Sequence, residues 1–237
     1  MKIRKHGDKL TQLTHLSFIN CYLVREEDGF TLIDTAMKGC GKAIIQAAQQ
    51  VGLPIVRIVL THAHVDHVGS LDELHALLPE AEVQITERSA RFLVGDMSLD
   101  ANEPQDKLRG GWPSCTTRPT RQLHEDDTIS SLRVIDAPGH TPGHAAFLDT
   151  RDGTLIAGDA FSTMTGIAVS GAFKPFFPLV AAATWHKPTC LASARKLRTL
   201  ELSRLAVGHG RVLDQPLAAM DRAIEKMTRE LAKKTRA

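Results

Sequence analysis

The chain has 237 residues, with 29 Lys and Arg against 27 Asp and Glu, a formal charge of +2, 43% hydrophobic and 24% charged residues. These are globular proportions, and they exclude a disordered chain, a collagen-like repeat and a strongly basic nucleic-acid binder. The unusual count is 11 His, of which His62, His64 and His67 fall within six residues.

Taken in chain order, the apolar and β-branched residues of 15–24 and 30–33 predict two opening strands joined by a turn at 25–29. Residues 41–51 carry Ile44, Ala47, Ala48 and Val51 at helical spacing, and Gly52-Leu53-Pro54 ends that helix. The continuous apolar run 55–60 reads as a strand buried on both faces, with His62 just past its end. Helices follow at 71–78 and 87–94, with a short strand at 82–85 between them. Residues 95–119 show no period and form the longest irregular stretch, the pattern of a lid, a cover or a disordered segment.

Strands return at 132–135, 145–148 and 154–157. A helix near 191–200 precedes a last short strand at 205–207. The final helix, from about Gln215, has Leu217, Met220, Ile224, Met227 and Leu231 as a packing stripe, opposite a solvated face of mixed charge. Strand, helix and strand in each half predict a mixed α/β protein with two sheets covered by helices. No Ser-, Pro- or Gly-rich linker interrupts the chain, so a single domain over 1–237 is expected.

Cys21, Cys40, Cys115 and Cys190 are widely spaced and form no C-x-x-C pair, which predicts free thiols in a reducing compartment. Residues 1–10 are basic with no apolar run behind them, and no apolar stretch approaches about 18 residues. A cytoplasmic protein without a membrane partner is the expectation.

The chemistry concentrates in Thr61-His62-Ala63-His64-Val65-Asp66-His67. Imidazole and carboxylate suit a borderline divalent ion such as zinc, and four donors in a loop after a strand can converge on one volume. In an extended or turn conformation His62 and His64 point to one side while Asp66 and His67 face a second point nearby, so the spacing suggests two metals. Pro138-Gly139-His140-Thr141-Pro142-Gly143-His144, Gly158-Asp159 and Gly208-His209-Gly210 each follow a predicted strand, and their glycines let the backbone bring a donor close.

This ordered set, His-x-His-x-Asp-His, then Pro-Gly-His, Gly-Asp and Gly-His, resembles the metallo-β-lactamase superfamily of metal-dependent hydrolases over about residues 15–215. The resemblance implies an αββα sandwich of two mixed β-sheets flanked by helices, with a dinuclear site at one edge. It implies that His62, His64 and His140 hold a first divalent ion, that Asp66, His67 and His209 hold a second, and that Asp159 bridges them. Zinc is the expected metal, with manganese or iron open. Asp34, at the end of the second strand, reads either as a carboxylate orienting a ligand His or as an ordinary turn residue, and His144 as a supporting hydrogen-bonding residue. His6, His15, His75, His124 and His186 have no companions at ligand spacing.

Two metals lower the pKa of a shared water so that hydroxide is available near neutral pH, and Asp66 is the candidate to orient it and carry the proton to the leaving group. The expected reaction is hydrolysis of an ester, thioester, lactone or related small-molecule bond. Asp159 argues against antibiotic hydrolysis, because the true β-lactamases of the superfamily have no bridging Asp there. Ala160-Phe161-Ser162 lacks the Tyr that acyl-homoserine lactonases place after that Asp, and the balanced charge gives no support to an RNA-processing member. The glyoxalase II branch and its bacterial relatives look most similar. A mononuclear-iron enzyme like the persulfide dioxygenases and a non-enzymatic metal-binding protein are the alternatives.

Phe161, Phe173, Phe176, Phe177 and Trp185 cluster after Asp159 and read as an apolar pocket wall, a subunit contact or core. The expected partner is a small-molecule substrate, without nucleic acid, for a monomer or homodimer.

Overall fold

The computed structural model of the chain describes residues 1–174 and 179–235. The chain divides into two compact units, Met1–Met97 with Gly111–Leu123 and Ser98–Gly110 with His124–Ala237.

The first unit opens with an antiparallel meander, β1 (Lys2–His6), β2 (Leu10–His15), β3 (Ile19–Arg25) and β4 (Phe30–Ile33). Four strands thus stand where two were expected. The run 15–24 is broken at Leu16 and Ser17, whose φ values of 49° and 68° turn the chain between β2 and β3. β1 escaped the sequence reading because it is an edge strand carrying Lys2, Arg4 and Lys5, and charged edges lack the apolar alternation that marks a strand. Helix α1 (Gly41–Val51) buries Ile44, Ala47 and Ala48 and ends at Gly52, whose φ of 104° lets its N–H bond to the carbonyl of Ala48.

Strand β5 (Ile55–Val59) runs parallel to β4. After α2 (Val65–Val68) and α3 (Leu71–Leu77), β6 (Glu82–Thr86) is parallel to β5. Helix α4 (Glu87–Leu93) starts on Thr86, whose hydroxyl accepts from the N–H of Ser89. Residues 94–120 hold no helix or strand, and β7 (Arg121–Leu123) then completes a seven-stranded sheet in the order β1 to β7. Leu13, Leu23, Leu32, Ile44, Ile58, Leu71, Val83 and Phe92 are fully buried in this unit.

The second unit builds a six-stranded sheet from β8 (Thr128–Ile129), β9 (Leu132–Asp136), β10 (Ala145–Asp149) and β11 (Thr154–Ile156), with β14 (Arg204–Ala206) and β15 (Leu213–Asp214) added beside β11. A small hairpin, β12 (Phe161–Ser162) with β13 (Ala168–Val169), and helices α5 (Leu179–Ala182), α6 (Lys187–Arg198) and α7 (Leu217–Thr235) complete it. Helix α6 begins earlier than its apolar pattern suggested. Pro188 in the first turn lacks only an N–H that would be unpaired there anyway, and His186 caps the end by accepting from Thr189. Helix α7 starts after Gln215, whose φ of 47° belongs to the turn and not to a helix.

The chain's architecture is therefore two mixed sheets flanked by helices, as expected. β10 is antiparallel to both β9 and β11, and β14 is parallel to β11, so β9, β11 and β14 run the same way. Their carboxyl ends precede His140, Asp159 and His209. In the first unit the parallel neighbours β4 and β5 precede Asp34 and His62. Parallel strands deliver polar groups at their carboxyl ends, where the backbone leaves the sheet and its hydrogen-bonding partners.

Phe147, at the centre of β10 opposite Val134 and Ile156, is fully buried. Phe147→Ala is expected to cost about 3 to 5 kcal/mol, because the cavity collapses only partly. Urea unfolding followed by circular dichroism measures it as a lowered midpoint.

Candidate metal centre

In the first unit the donors are arranged around a buried carboxylate. Asp34 takes a left-handed backbone conformation, φ 63°, immediately after β4, and its N–H bonds to the carbonyl of Val59 at 2.9 Å. Its Oδ1 accepts the N–H of Thr61 at 2.8 Å, its Oδ2 accepts the Thr61 hydroxyl at 2.9 Å, and Oδ2 lies 2.7 Å from His67 Nδ1. A carboxylate only accepts, so His67 carries its proton on Nδ1 and offers the Nε2 lone pair.

The Thr61 hydroxyl, having donated to Asp34, can only accept from His62 Nδ1 at 3.0 Å, which likewise leaves His62 Nε2 as a lone pair. One carboxylate thereby sets the tautomers of two imidazoles. Such outer partners orient metal-ligating histidines.

The motif, expected in an extended or turn conformation, is extended at His64 and helical after it. His64 is extended, φ −73° and ψ 151°, and caps the one-turn helix α2, which carries Asp66 and His67. The helix sets His67 against Asp34 and is pinned by Thr35, whose N–H and hydroxyl both donate to the His67 carbonyl. The ring centroids of His62 and His64 are 4.8 Å apart, and those of His62 and His67 4.1 Å. His62, His64 and His67 are buried, while the Asp66 carboxylate keeps 26% of its surface exposed and has Oδ2 3.9 Å from His67 Nε2.

The second unit repeats this logic with different groups. The Thr184 hydroxyl donates to the carbonyl of Val180, so Ser170 must donate to Thr184, and His140 Nδ1 must then be the donor to Ser170 at 2.9 Å. His140 Nε2 is left as a lone pair. It faces Asp159 Oδ2 at 3.3 Å, and His209 Nε2 faces the same oxygen at 3.2 Å. A lone pair opposite a carboxylate oxygen is repulsive unless a proton or a metal cation lies beside it, and this donor set suits a divalent ion.

His144 Nε2 accepts the N–H of Asp159 at 3.0 Å. This bond ties His144 to the backbone that carries the Asp159 carboxylate.

Glycine is required where these turns close. Gly139 has φ 131°, and a Cβ on it would lie 2.3 Å from the N of Cys190, so the His140 turn sits directly on α6. The N–H groups of Trp185 and His186 bond to the carbonyls of His140 and Gly139.

The described members of the aromatic cluster do not form one wall. Phe161 is fully buried in the core of the second unit beside Ala160, Val169 and Leu205, so it is packing and not pocket surface. Phe173 is 59% exposed, and Trp185 is buried with its indole N–H on the carbonyl of Asp106. Phe176 and Phe177 lie outside the described residues.

Thr61, Ser170 and Thr184 were missed as functional residues. Thr61 was visible beside the motif, but Ser170 and Thr184 reach His140 from 30 and 44 residues away and leave no sequence signal.

The irregular stretch is tied down in the first unit. The N–H of Val65 bonds to the carbonyl of Gly111, that of Cys115 to Leu93, and those of Thr116 and Thr117 to the Asp72 carboxylate. This brings Trp112 edge-on against His64, centroids 4.4 Å apart, and against Phe92 at 4.7 Å. Partial burial pushes the Asp72 carboxyl up, but the N–H groups of Thr116 and Thr117 and the Thr117 hydroxyl outweigh it and hold it down to about 2.

These features define a metal-binding α/β protein with His and Asp groups able to hold an ion. The Metallo-beta-lactamase superfamily model matches residues 16–209, and the chain belongs to that superfamily. It is 52% identical to "Uncharacterized protein YobT" of Bacillus subtilis (strain 168), over 92% of this chain and 94% of that protein. It is 29% identical to "Probable metallo-hydrolase YflN" of the same organism, covering 84% of this chain and 81% of the relative. Among solved structures it resembles TTHA1623 in a di-iron-bound form, with TM-score 0.65 and 28% identity over 88% of this chain and 95% of that one.

Two outcomes follow from this geometry. Asp34→Ala frees both the Thr61 hydroxyl and His67 Nδ1, and metal affinity measured by competition with a chromogenic chelator is expected to fall about 10- to 100-fold. Because the Asp72 carboxyl is held below its unfolded value, its stabilisation is complete above about pH 4 and lost as pH falls toward 2. Hydrogen-exchange protection of the Thr116 and Thr117 amides is expected to hold at higher pH and to drop across that window.

Proposed function

We propose that His62, His64 and His140 hold one divalent ion, that Asp66, His67 and His209 hold a second with Asp159 shared, and that the protein hydrolyses an ester, thioester or lactone of a small molecule. The observation that carries this reading is the fixed tautomer of His62, His67 and His140, each with Nδ1 spent on a neighbour and Nε2 left as a lone pair. Membership of a superfamily of metal-dependent hydrolases supports it, as does YflN, a relative named as a metallo-hydrolase.

Two bound divalent ions supply a water of lowered pKa and polarise the bond under attack. The chain's own residues do the rest. Asp34 and Thr61 hold His62 and His67 in register, and Ser170 and Thr184 do the same for His140. His144 fixes the Asp159 backbone so that its carboxylate keeps its position between His140 and His209.

Asp66 differs from these groups because it is partly open to solvent. A carboxylate that both faces the site and exchanges protons with bulk water suits the transfer of a proton to the leaving group. The donors are imidazole and carboxylate without thiolate, which fits zinc, manganese or iron. The di-iron form of TTHA1623 makes iron the metal to compare with zinc.

Emission spectroscopy of the purified protein, paired with a panel of thioesters, lactones, aryl esters and phosphodiesters, tests the proposal. Two metals per chain are expected, with turnover of a carbonyl substrate that Asp66→Ala lowers about 10²- to 10⁴-fold in kcat. His62→Ala and Asp159→Ala should lower metal content. Unchanged metal content in both variants sinks the ligand assignment, and two bound metals without any turnover sink the hydrolase reading.

A further inference from the structure

Trp112 brings a polar atom to the first unit that no described residue uses. Its indole Nε1 is buried and has no hydrogen-bond partner among the described residues. The ring itself is well placed, edge-on to His64 at 4.4 Å and beside Phe92 at 4.7 Å. That placement is enforced by the bonds from Val65 to Gly111 and from Cys115 to Leu93, and by the Asp72 clamp on Thr116 and Thr117.

The contacts with Phe92 and His64 would be met equally well by a phenyl ring. The indole N–H adds nothing to that packing, and a buried donor without an acceptor is a cost that packing does not return. The ring that carries this donor lies against the candidate metal ligand His64, and a bound molecule that opens the ring's edge brings it an acceptor.

We propose that Trp112 is a substrate-binding residue whose indole N–H donates to a carbonyl or carboxylate oxygen of the bound molecule. The inference rests on the hydrolase reading for its acceptor, since the substrate supplies a carbonyl oxygen and the product a carboxylate. Trp112 then selects for position, holding the acyl oxygen on the His64 side of the site.

Trp112→Phe keeps an aromatic ring against Phe92 and deletes the donor. With zinc-loaded protein, KM for the best substrate of the panel is expected to rise about tenfold, the worth of one neutral hydrogen bond, with kcat changed less than about threefold. Phenylacetate, a carboxylate probe, is expected to bind the variant about tenfold more weakly by calorimetry, at equal metal content.

KM and phenylacetate affinity within twofold of the parent protein overturn the inference, as does a loss that follows metal content, which would make Trp112 a support for His64 only. If Trp112→Phe folds poorly, site-specific replacement of Trp112 by β-(3-benzothienyl)alanine decides the question, because sulfur replaces the N–H in a ring of the same shape. If the panel shows no turnover, the hydrolase reading falls while phenylacetate binding still decides for Trp112. A parent protein that binds neither substrate nor phenylacetate overturns the inference as well.

Discussion

A buried carboxylate is expensive unless every oxygen is matched by donors, and the first unit is organised to match those of Asp34. The left-handed turn after β4 aims the side chain at the end of β5, where the N–H and hydroxyl of Thr61 and the Nδ1 of His67 converge on it. The parallel pairing of β4 with β5 sets the distance between Asp34 and Thr61, with Ile33 opposite Val59. Helix α2 sets the place of His67. The orientation of two imidazoles depends on that one side chain, through one direct bond and one relayed by a hydroxyl.

The second unit reaches the same result without a carboxylate hub. A relay of hydroxyls, Thr184 and Ser170, assigns the proton of His140, and His144 holds Asp159 through its backbone N–H. His62 and His67 in the first unit and His140 in the second are oriented at Nδ1 and keep Nε2 for their task. This division of the two ring nitrogens is what makes imidazole a directional ligand. The glycines of the Pro-Gly-His turn and of Gly208-His209-Gly210 then act by omission. At Gly139 and Gly210 a Cβ would collide with Cys190 and with Thr163 and Met164.

The parts read correctly from sequence share a cause. Helix α1, strand β5 and the apolar run of α7 are long or uniform enough for period and composition to reveal them. The opening region misled because β1 is a charged edge strand and because Leu16 and Ser17 adopt positive φ, which no composition rule expects of those residues. Wall, subunit contact and core stayed open for Phe161 because aromatic density along the chain does not say which side of a strand faces the core. Its place in β12 put it inside.

By itself the sequence determined the donor types, their order and their places at the ends of strands, because a metal site needs specific atoms and glycine-bordered turns. It also carried the family resemblance that the superfamily match bears out. What only the tertiary structure decided is which nitrogen of His62, His67 and His140 is available, that Asp34 serves as a hub, and that Trp112 lies against His64. Those facts depend on contacts between residues far apart in the chain, such as Asp34 with Thr61 and His64 with Trp112. Hydrogen-bond direction and ring placement are set by such long-range neighbours, and local residue spacing carries no record of them.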